Sequence, residues 1–390
     1  MREVKVAPIM AFFSKLEDPR AEVNKLYPLE EVVAITILAV MSFAKGWEDI
    51  EQYGQAKAEW LGKFLKLEHG IPKHDVFRRV FCSLKPQAVE ECFMNWVRAI
   101  KEDYNKEVIA IDGKTVKGSF NAKTGEKAIH LVSAWATENR LVFGQVKTAE
   151  KSNEITAIPT LLDKIAMRGC IVTIDAMGCQ YEIANKIVKG KADYLFSLKG
   201  NQETLHEDVA EYYGDFDFSK PAQEMKHISF HTTSTHDEKH GRIEDRDYAV
   251  SDDVDWLIER HPLWKTIHSI GMVESTREIK GKITTERRYF VSSLPAEVEQ
   301  FAHAVRAHWG IENSLHYMLD VAFGEDASRI KKDHGPENMA FIRKIALTVA
   351  RSDKETKSSV ASRIKQMAWS DDYREKLLFD SVFATEETAC

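Results

Sequence analysis

The chain has 390 residues, 44% of them hydrophobic and 29% charged, and a formal net charge of −7. This is the composition of a soluble globular protein of two or three domains, and it excludes a disordered or fibrous chain. The longest apolar stretch, VVAITILAVMSFA at residues 32–44, falls well short of the roughly 20 residues that span a bilayer, and the N-terminal MREVKVAPIMAFFSKLEDPR has no apolar block ending in a small-residue cleavage site.

Residues 1–105 read as helical. The apolar run over 26–44 opens with Pro28, Glu30 and Glu31, which suit a helix start. HDVFRRVF (74–81) begins with Asp75 as a cap and shows Val76, Val80 and Phe81 on one side; VEECFMNWVRAI (89–100) comes after Pro86. Such short helices build either a unit containing a helix-turn-helix or a plain small bundle. At residue 107 the pattern changes. EVIAID is a short β run, and AIHLVSAWAT (128–137) with RLVFGQVKT (140–148) reads as a hairpin. IPTLLDKIAM (158–167) fits a helix with Pro159 in its first turn. CIVTID (170–175) is a second buried strand, YEIANKIVKG a helix stopping at Gly190, and DYLFSLKGNQ (193–202) a third apolar run. Strand, hairpin, helix, strand, helix, strand predicts an α/β sheet with mixed strand directions. A polar, β-rich insertion occupies about 203–292, a long helix about 296–322, and another helix about 336–352. A charged, weakly patterned tail covers 356–390, which leaves 106–355 as the α/β core.

Asp112 and Asp175 each close an apolar β run, VIAID and IVTID, and each precedes a small residue, Gly113 or Ala176. In α/β sheets functional groups gather beyond the carboxyl ends of strands. Neighbouring strands would set the two carboxylates side by side, and like charges that close require protons or a cation between them. Hard oxygen donors suit Mg²⁺. The competing reading makes each aspartate the cap of the turn next to it. In the long helix, Ile311, Leu315, Met318 and Ala322 share an apolar face, while His308, Glu312, His316 and Asp320 form a polar stripe at i+4 steps. A solvated stripe would more typically carry Lys and Glu; two histidines with two acids suggest a site.

The segments AIDGKTVKGS, EKSNEITAIPTLL, TIDAMGCQ, DYLFSLKGNQ and HWGIENSLHYMLDVAFGEDASRI together resemble the H-repeat-associated insertion-sequence transposases. GWEDIEQYG (46–54) and IPKHDVFRRVF (71–81) resemble their N-terminal associated domain. The resemblance runs from about residue 10 to 352. It implies a ribonuclease-H-like core with an Asp/Asp/Glu triad, Asp112, Asp175 and Glu312, and the β-rich insertion between the last core strand and the helix carrying Glu312. It also implies Mg²⁺-dependent cleavage of DNA at element ends, and strand transfer. Two Mg²⁺ or Mn²⁺ ions would sit on the triad, with Asp112 bridging them. The wider cut-and-paste group typically carries Tyr, Arg, Glu and Lys around the third acid; here the Tyr, Arg and Lys positions hold Val305, His308 and Leu319. Phosphate contacts would therefore come from His308, Arg306, Arg329 or Lys331.

Other residues are candidates for DNA contact: Lys114 just after Asp112; Lys199, Asn201 and Gln202 at the end of a core strand; Trp309 beside Glu312, as a stacking platform. The segment TREIKGKITTERR (276–288), with five basic and two acidic residues, joins Arg242 and Arg246 as a phosphate-binding surface that includes Arg287 and Arg288. The histidines 227, 231, 236 and 240 make a zinc site conceivable, but no cysteine lies near. Five scattered cysteines (Cys82, Cys92, Cys170, Cys179, Cys390) without a C-x-x-C pair suggest reduced thiols and a cytoplasmic home. Cys179 is set aside as a nucleophile because the fold offers a metal route. The expected partner is double-stranded DNA, with a homodimer on two element ends and no membrane. The competing functions are an inactive or co-opted DNA-binding remnant and a metal-dependent nuclease on the same fold.

Overall fold

The apolar runs along the chain resolve, in the computed structural model, into one sheet flanked by helices; residues 8–100, 106–122, 124–148, 154–220, 230–239, 241–353 and 355–379 are described. The strands are β1 Val108–Thr115, β2 His130–Ala136, β3 Leu141–Thr148, β4 Ile171–Ile174, β5 Asp193–Leu198, β6 His231–Lys239, β7 Arg242–Ser251, β8 Ser269–Ile279 and β9 Lys282–Ser292. Their order is β3-β2-β1-β4-β5-β9-β8-β7-β6. β1 to β3 form an antiparallel meander, and β4 and β5 run parallel to β1. That half of the sheet is ribonuclease-H-like. The insertion is no separate layer: β9 pairs antiparallel with β5, so β6 to β9 extend the core sheet.

The two faces of the sheet are covered differently. Val108, Ile171, Leu195, Tyr248 and Phe290 pack with Phe301 and Val305 of the Val298–His308 helix. Side chains alternate along a strand, so Ala110 and Asp112 share the Val108 face. Ile109, Ile111, Val172, Ile174 and Phe196 point the other way, into the main core with the Glu154–Lys164 and Tyr181–Lys189 helices. The first of these helices starts at Glu154, four residues earlier than the pattern predicts, and Pro159 stands in its second turn.

The main apolar cluster runs without a break from the N-terminal helices into the sheet. The Leu29–Met41 helix is buried on almost every side and packs on the Gly335–Ser352 helix. The Asn338 amide of the latter donates to the carbonyls of Phe81 and Leu84 at 2.8 and 2.9 Å. The weakly patterned tail forms two helices, Val360–Trp369 and Asp371–Phe379. Its pattern is obscured by a buried cation: Arg374 donates to the Tyr53 hydroxyl at 3.1 Å and lies 4.8 Å from the Trp60 ring centre. No described helix is long and apolar enough to cross a membrane.

The predicted helix over 296–322 is broken. An α-helix spans Val298–His308, a π-helical turn Ile311–His316 and a further α-helix Tyr317–Phe323. Single π turns inside helices recur at functional sites because they re-aim side chains. This one carries Glu312.

Candidate active site

β1 and β4 are in register with Ile111 opposite Ile174. The next residues, Asp112 and Asp175, therefore leave two adjacent parallel strands side by side. Their backbone settings differ. Asp175 ends its strand, and its Oδ1 accepts the N–H groups of Met177 and Gly178 at 3.2 and 3.4 Å, capping a short turn. Asp112 is no turn residue: β1 continues to Thr115, paired with β2. Its Oδ1 accepts the Gly113 N–H at 2.8 Å, and its Oδ2 lies 3.5 Å from His316 Nδ1.

The π turn delivers the polar stripe to this edge. His308 Nδ1 is 3.0 Å from the Thr173 hydroxyl, Glu312 joins Asp112 and Asp175 in lining a cavity of about 190 Å³, and Asp320 accepts Lys114 Nζ at 2.9 Å. Among the described residues no three Asp, Glu, His or Cys side chains close on one point; the three acids share a cavity with Glu312 at its exposed rim.

The electrostatics are those of buried carboxylates crowded by like charge. Burial pushes the Asp112 carboxyl up to about 7; the Gly113 hydrogen bond pulls the other way, and the charges of Asp175 and Glu312 add to the rise. Asp175 is raised by burial and by Glu154, against its two backbone hydrogen bonds and Lys199. Hard divalent ions fit this donor set, because oxygen ligands that resist ionising alone are stabilised as anions by a cation between them. Burial lowers His308 to about 4 and His316 to about 3, so both rings are neutral near pH 7. His308 therefore brings no positive charge to a phosphate.

Residues 10–97 match the family described as DDE_Tnp_1-associated, and residues 103–349 match the Transposase DDE domain. The chain belongs to the DDE transposase family. It is 37% identical to the H repeat-associated transposase candidate YhhI of Escherichia coli K12, over 97% of this chain and 99% of that protein. To the transposase candidate YncI of Escherichia coli O157:H7 it is 38% identical, over 96% and 95% of the two chains. A solved piggyBac transposase synaptic complex with hairpin DNA superposes with a TM-score of 0.43 at 11% identity, covering 98% of this chain and 79% of that one.

Within this DDE transposase the remaining candidates take varied places. Lys199 lines the acidic cavity, as do Arg288 and Trp309; the Arg288 guanidinium stands 5.2 Å from the Trp309 ring centre. The Asn201 amide donates to Ala176 O at 2.5 Å and that of Gln202 to Cys179 O at 2.9 Å. Both brace the turn behind Asp175. Lys114 faces inward: its ammonium contacts Asp320 and Glu325 at 2.9 Å and Asp326 at 3.5 Å, which leaves it nothing for a phosphate. Arg287 lies on the opposite face of β9 from Arg288, held by Glu274 at 2.6 Å and by Phe216 O. Arg329 is exposed beyond the acidic cavity, and Lys331 lines a different one with Lys127 and Lys147. Arg242, Arg246 and Arg306 gather in a neighbouring cavity. Burial pushes the Cys179 thiol far up, unlike a nucleophile. His231 and His236 lie on β6, His227 and His240 lie outside the described residues, and so does Cys390.

Sequence reasoning missed one acid. Glu154, 4% exposed, sits behind the dyad with its Oε1 2.6 Å from His130 Nε2, and His130 Nδ1 meets the Thr115 hydroxyl at 2.8 Å. A Cβ on Gly113 would lie 2.4 Å from both Glu154 Oε1 and His130 Nε2. Gly113, next to Asp112, therefore has to be glycine for this pair to close over β1. The signal was present in EKSNEITAIPTLL, where Glu154 stands among polar residues at a helix start.

Proposed function

We propose that this protein is a DNA transposase that cuts at the ends of its mobile element and joins them to target DNA, with Asp112, Asp175 and Glu312 as its metal-holding acids. The observation that carries the reading is the register of β1 and β4, which leaves Asp112 and Asp175 side by side at one sheet edge with Glu312 across the cavity. Burial and the neighbouring acids push the Asp112 carboxyl up, and a cation beside it would hold it as the anion. Two Mg²⁺ or Mn²⁺ ions held by such carboxylates stabilise the attacking and leaving oxygens of an in-line phosphoryl displacement. Met177 and Gly178 fix the Asp175 carboxylate, and Asn201 and Gln202 hold the turn that carries those N–H groups. Thr173 fixes His308 as a neutral wall of the site. Lys199 and Arg288 supply positive charge at the cavity mouth, where a DNA backbone would approach. Joining two ends needs two such sites, so the DNA-bound form is a homodimer.

The test is incubation of the purified protein with DNA carrying the element's ends. Nicks at the boundary are expected with Mg²⁺ or Mn²⁺ and not with Ca²⁺, which is larger and more loosely coordinated. Asp112→Asn is expected to bind the same DNA and leave it intact. Nicking by that variant at the wild-type rate would overturn the assignment. Binding without cleavage by the wild type would identify a DNA-binding remnant, and cutting without regard to the element's ends a general nuclease.

A further inference from the structure

A second, larger cavity of about 510 Å³ opens on the same face of the sheet, over β7 to β9, and shares Trp309 and Glu312 with the acidic one. Its walls are arginines. Glu244, 1% exposed, accepts Arg277 Nε at 2.7 Å and forms ion pairs with Arg246 Nη2 at 2.7 Å and Arg242 Nη2 at 2.9 Å. Asp237, with 26% of its side chain exposed, is shared by Arg246 at 3.1 Å and Arg306 at 2.8 Å. Five guanidinium groups, Arg288 among them, against three carboxylates, Asp237, Glu244 and Glu312 of the shared rim, leave two positive charges in one concave site. Arg288, on the shared wall, already has Glu286 at 2.8 Å.

We propose that this cavity is a strand-phosphate site: it takes two consecutive phosphodiesters of single-stranded DNA leaving the acidic cavity, with Asp237 as the counter-ion that the phosphates displace and Glu244 as the one that stays. The inference rests on the DNA-cutting reading above. Guanidinium forks match phosphate oxygens two at a time and are the preferred donors for them. The two unmatched charges equal those of two phosphodiesters. Glu244 is fixed, because burial raises its carboxyl but Arg277, Arg246 and Arg242 outweigh that and hold it low. Asp237 is partly solvated on the edge strand β6, so a phosphate can replace it on Arg246 and Arg306 without exposing a buried charge. At the shared rim Trp309, 42% exposed, offers a ring face on which a base can stack.

The experiment is fluorescence anisotropy of a dye-labelled oligodeoxythymidylate across a salt series, in chelator so that no strand is cut. Arg306→Gln is expected to weaken binding by about tenfold and to flatten the salt slope by about 0.7, the contribution of one phosphate on a single strand. Asp237→Asn is expected to tighten binding by about fivefold at low salt, since an internal competitor is lost. Wild-type affinity and slope in Arg306→Gln would remove the site. Unchanged or weaker binding in Asp237→Asn would remove the exchange. If Arg306→Gln does not fold, Arg306→Lys, which keeps the charge and loses the fork, is expected to weaken binding with the slope intact, and wild-type affinity there would equally remove the site. Cleavage at element ends with neither binding effect would leave the triad and dismiss the cavity; both effects without cleavage would do the opposite.

Discussion

Two cavities lie next to each other on one face of one sheet, and they handle charge in opposite ways. On β1 and at the end of β4, Asp112 and Asp175 lie half-buried beside each other, with Glu312 across the cavity and Lys199 at its edge, and both aspartates are pushed up. On β7 to β9, a more deeply buried carboxylate, Glu244, is surrounded by arginines and held low. The first site is dominated by negative charge and the second by positive charge. A total of −7 conceals this segregation, which is why net charge says so little about partners.

The comparison predicts stability effects of opposite sign, read in chelator by denaturant unfolding. In the unfolded chain Asp112 ionises near its ordinary 3.8, and in the folded protein at about 7. A carboxyl raised on folding costs stability as pH climbs from about 4 to about 7, so the metal-free protein carries the full cost at pH 8. Asp112→Asn is expected to stabilise it there, on the order of 2–4 kcal/mol, with the gain vanishing near pH 4. Equal stability of variant and wild type at pH 8 would mean that the acidic cavity is not strained. Glu244→Gln should do the reverse. Its carboxyl is lowered on folding, so its contribution is present above the ordinary carboxylate range and is lost as pH falls through it. The variant is expected to lose about 2 kcal/mol at pH 7, because Arg242 and Arg277 lose their Glu244 carboxylate and Arg246 keeps only Asp237. Stabilisation by Glu244→Gln would erase the contrast between the cavities.

Both sites were partly legible in the sequence. Apolar β runs ending in acids marked Asp112 and Asp175, because an apolar run that stops at a carboxylate is visible as composition. Their juxtaposition was an expectation that only the register of β1 and β4 decides, since a hairpin and a helix separate the two strands. The burial of Lys114, a candidate for DNA contact in the sequence, was not legible because its partners, Asp320 and Glu325, stand 206 and 211 residues away. The stripe through His308, Glu312, His316 and Asp320 was visible, and the π turn that aims Glu312 was not: no spacing of residue types marks where a helix widens. Glu154 escaped notice because its partner His130 is 24 residues off and the space between them is made by Gly113, a residue with no side chain to read. The basic residues of the arginine cavity were legible as a phosphate-binding surface, and the enclosed site was not, because Arg306 meets Arg242, Arg246 and Arg277 only through the pairing of β6 to β8 and the packing of the Val298–His308 helix on them.

The smallest expected effect tests the face rule itself. Arg287 and Arg288 are neighbours, and as a basic pair in sequence they are interchangeable. On β9 they point to opposite sides: Arg288 lines the acidic cavity and touches Trp309, while Arg287 binds Glu274 and Phe216 O behind the sheet. On the proposed function, DNA approaching Asp112, Asp175 and Glu312 would meet only the first side. Arg288→Ala is therefore expected to lower the salt slope of element-end binding by about one, the value of one duplex phosphate contact. Arg287→Ala should leave slope and affinity within error and alter stability by no more than about 0.5 kcal/mol, as for a surface ion pair. Equal losses in the two variants would show that DNA wraps both faces of the insertion, and the proposal of a single nucleic-acid face would have to be abandoned.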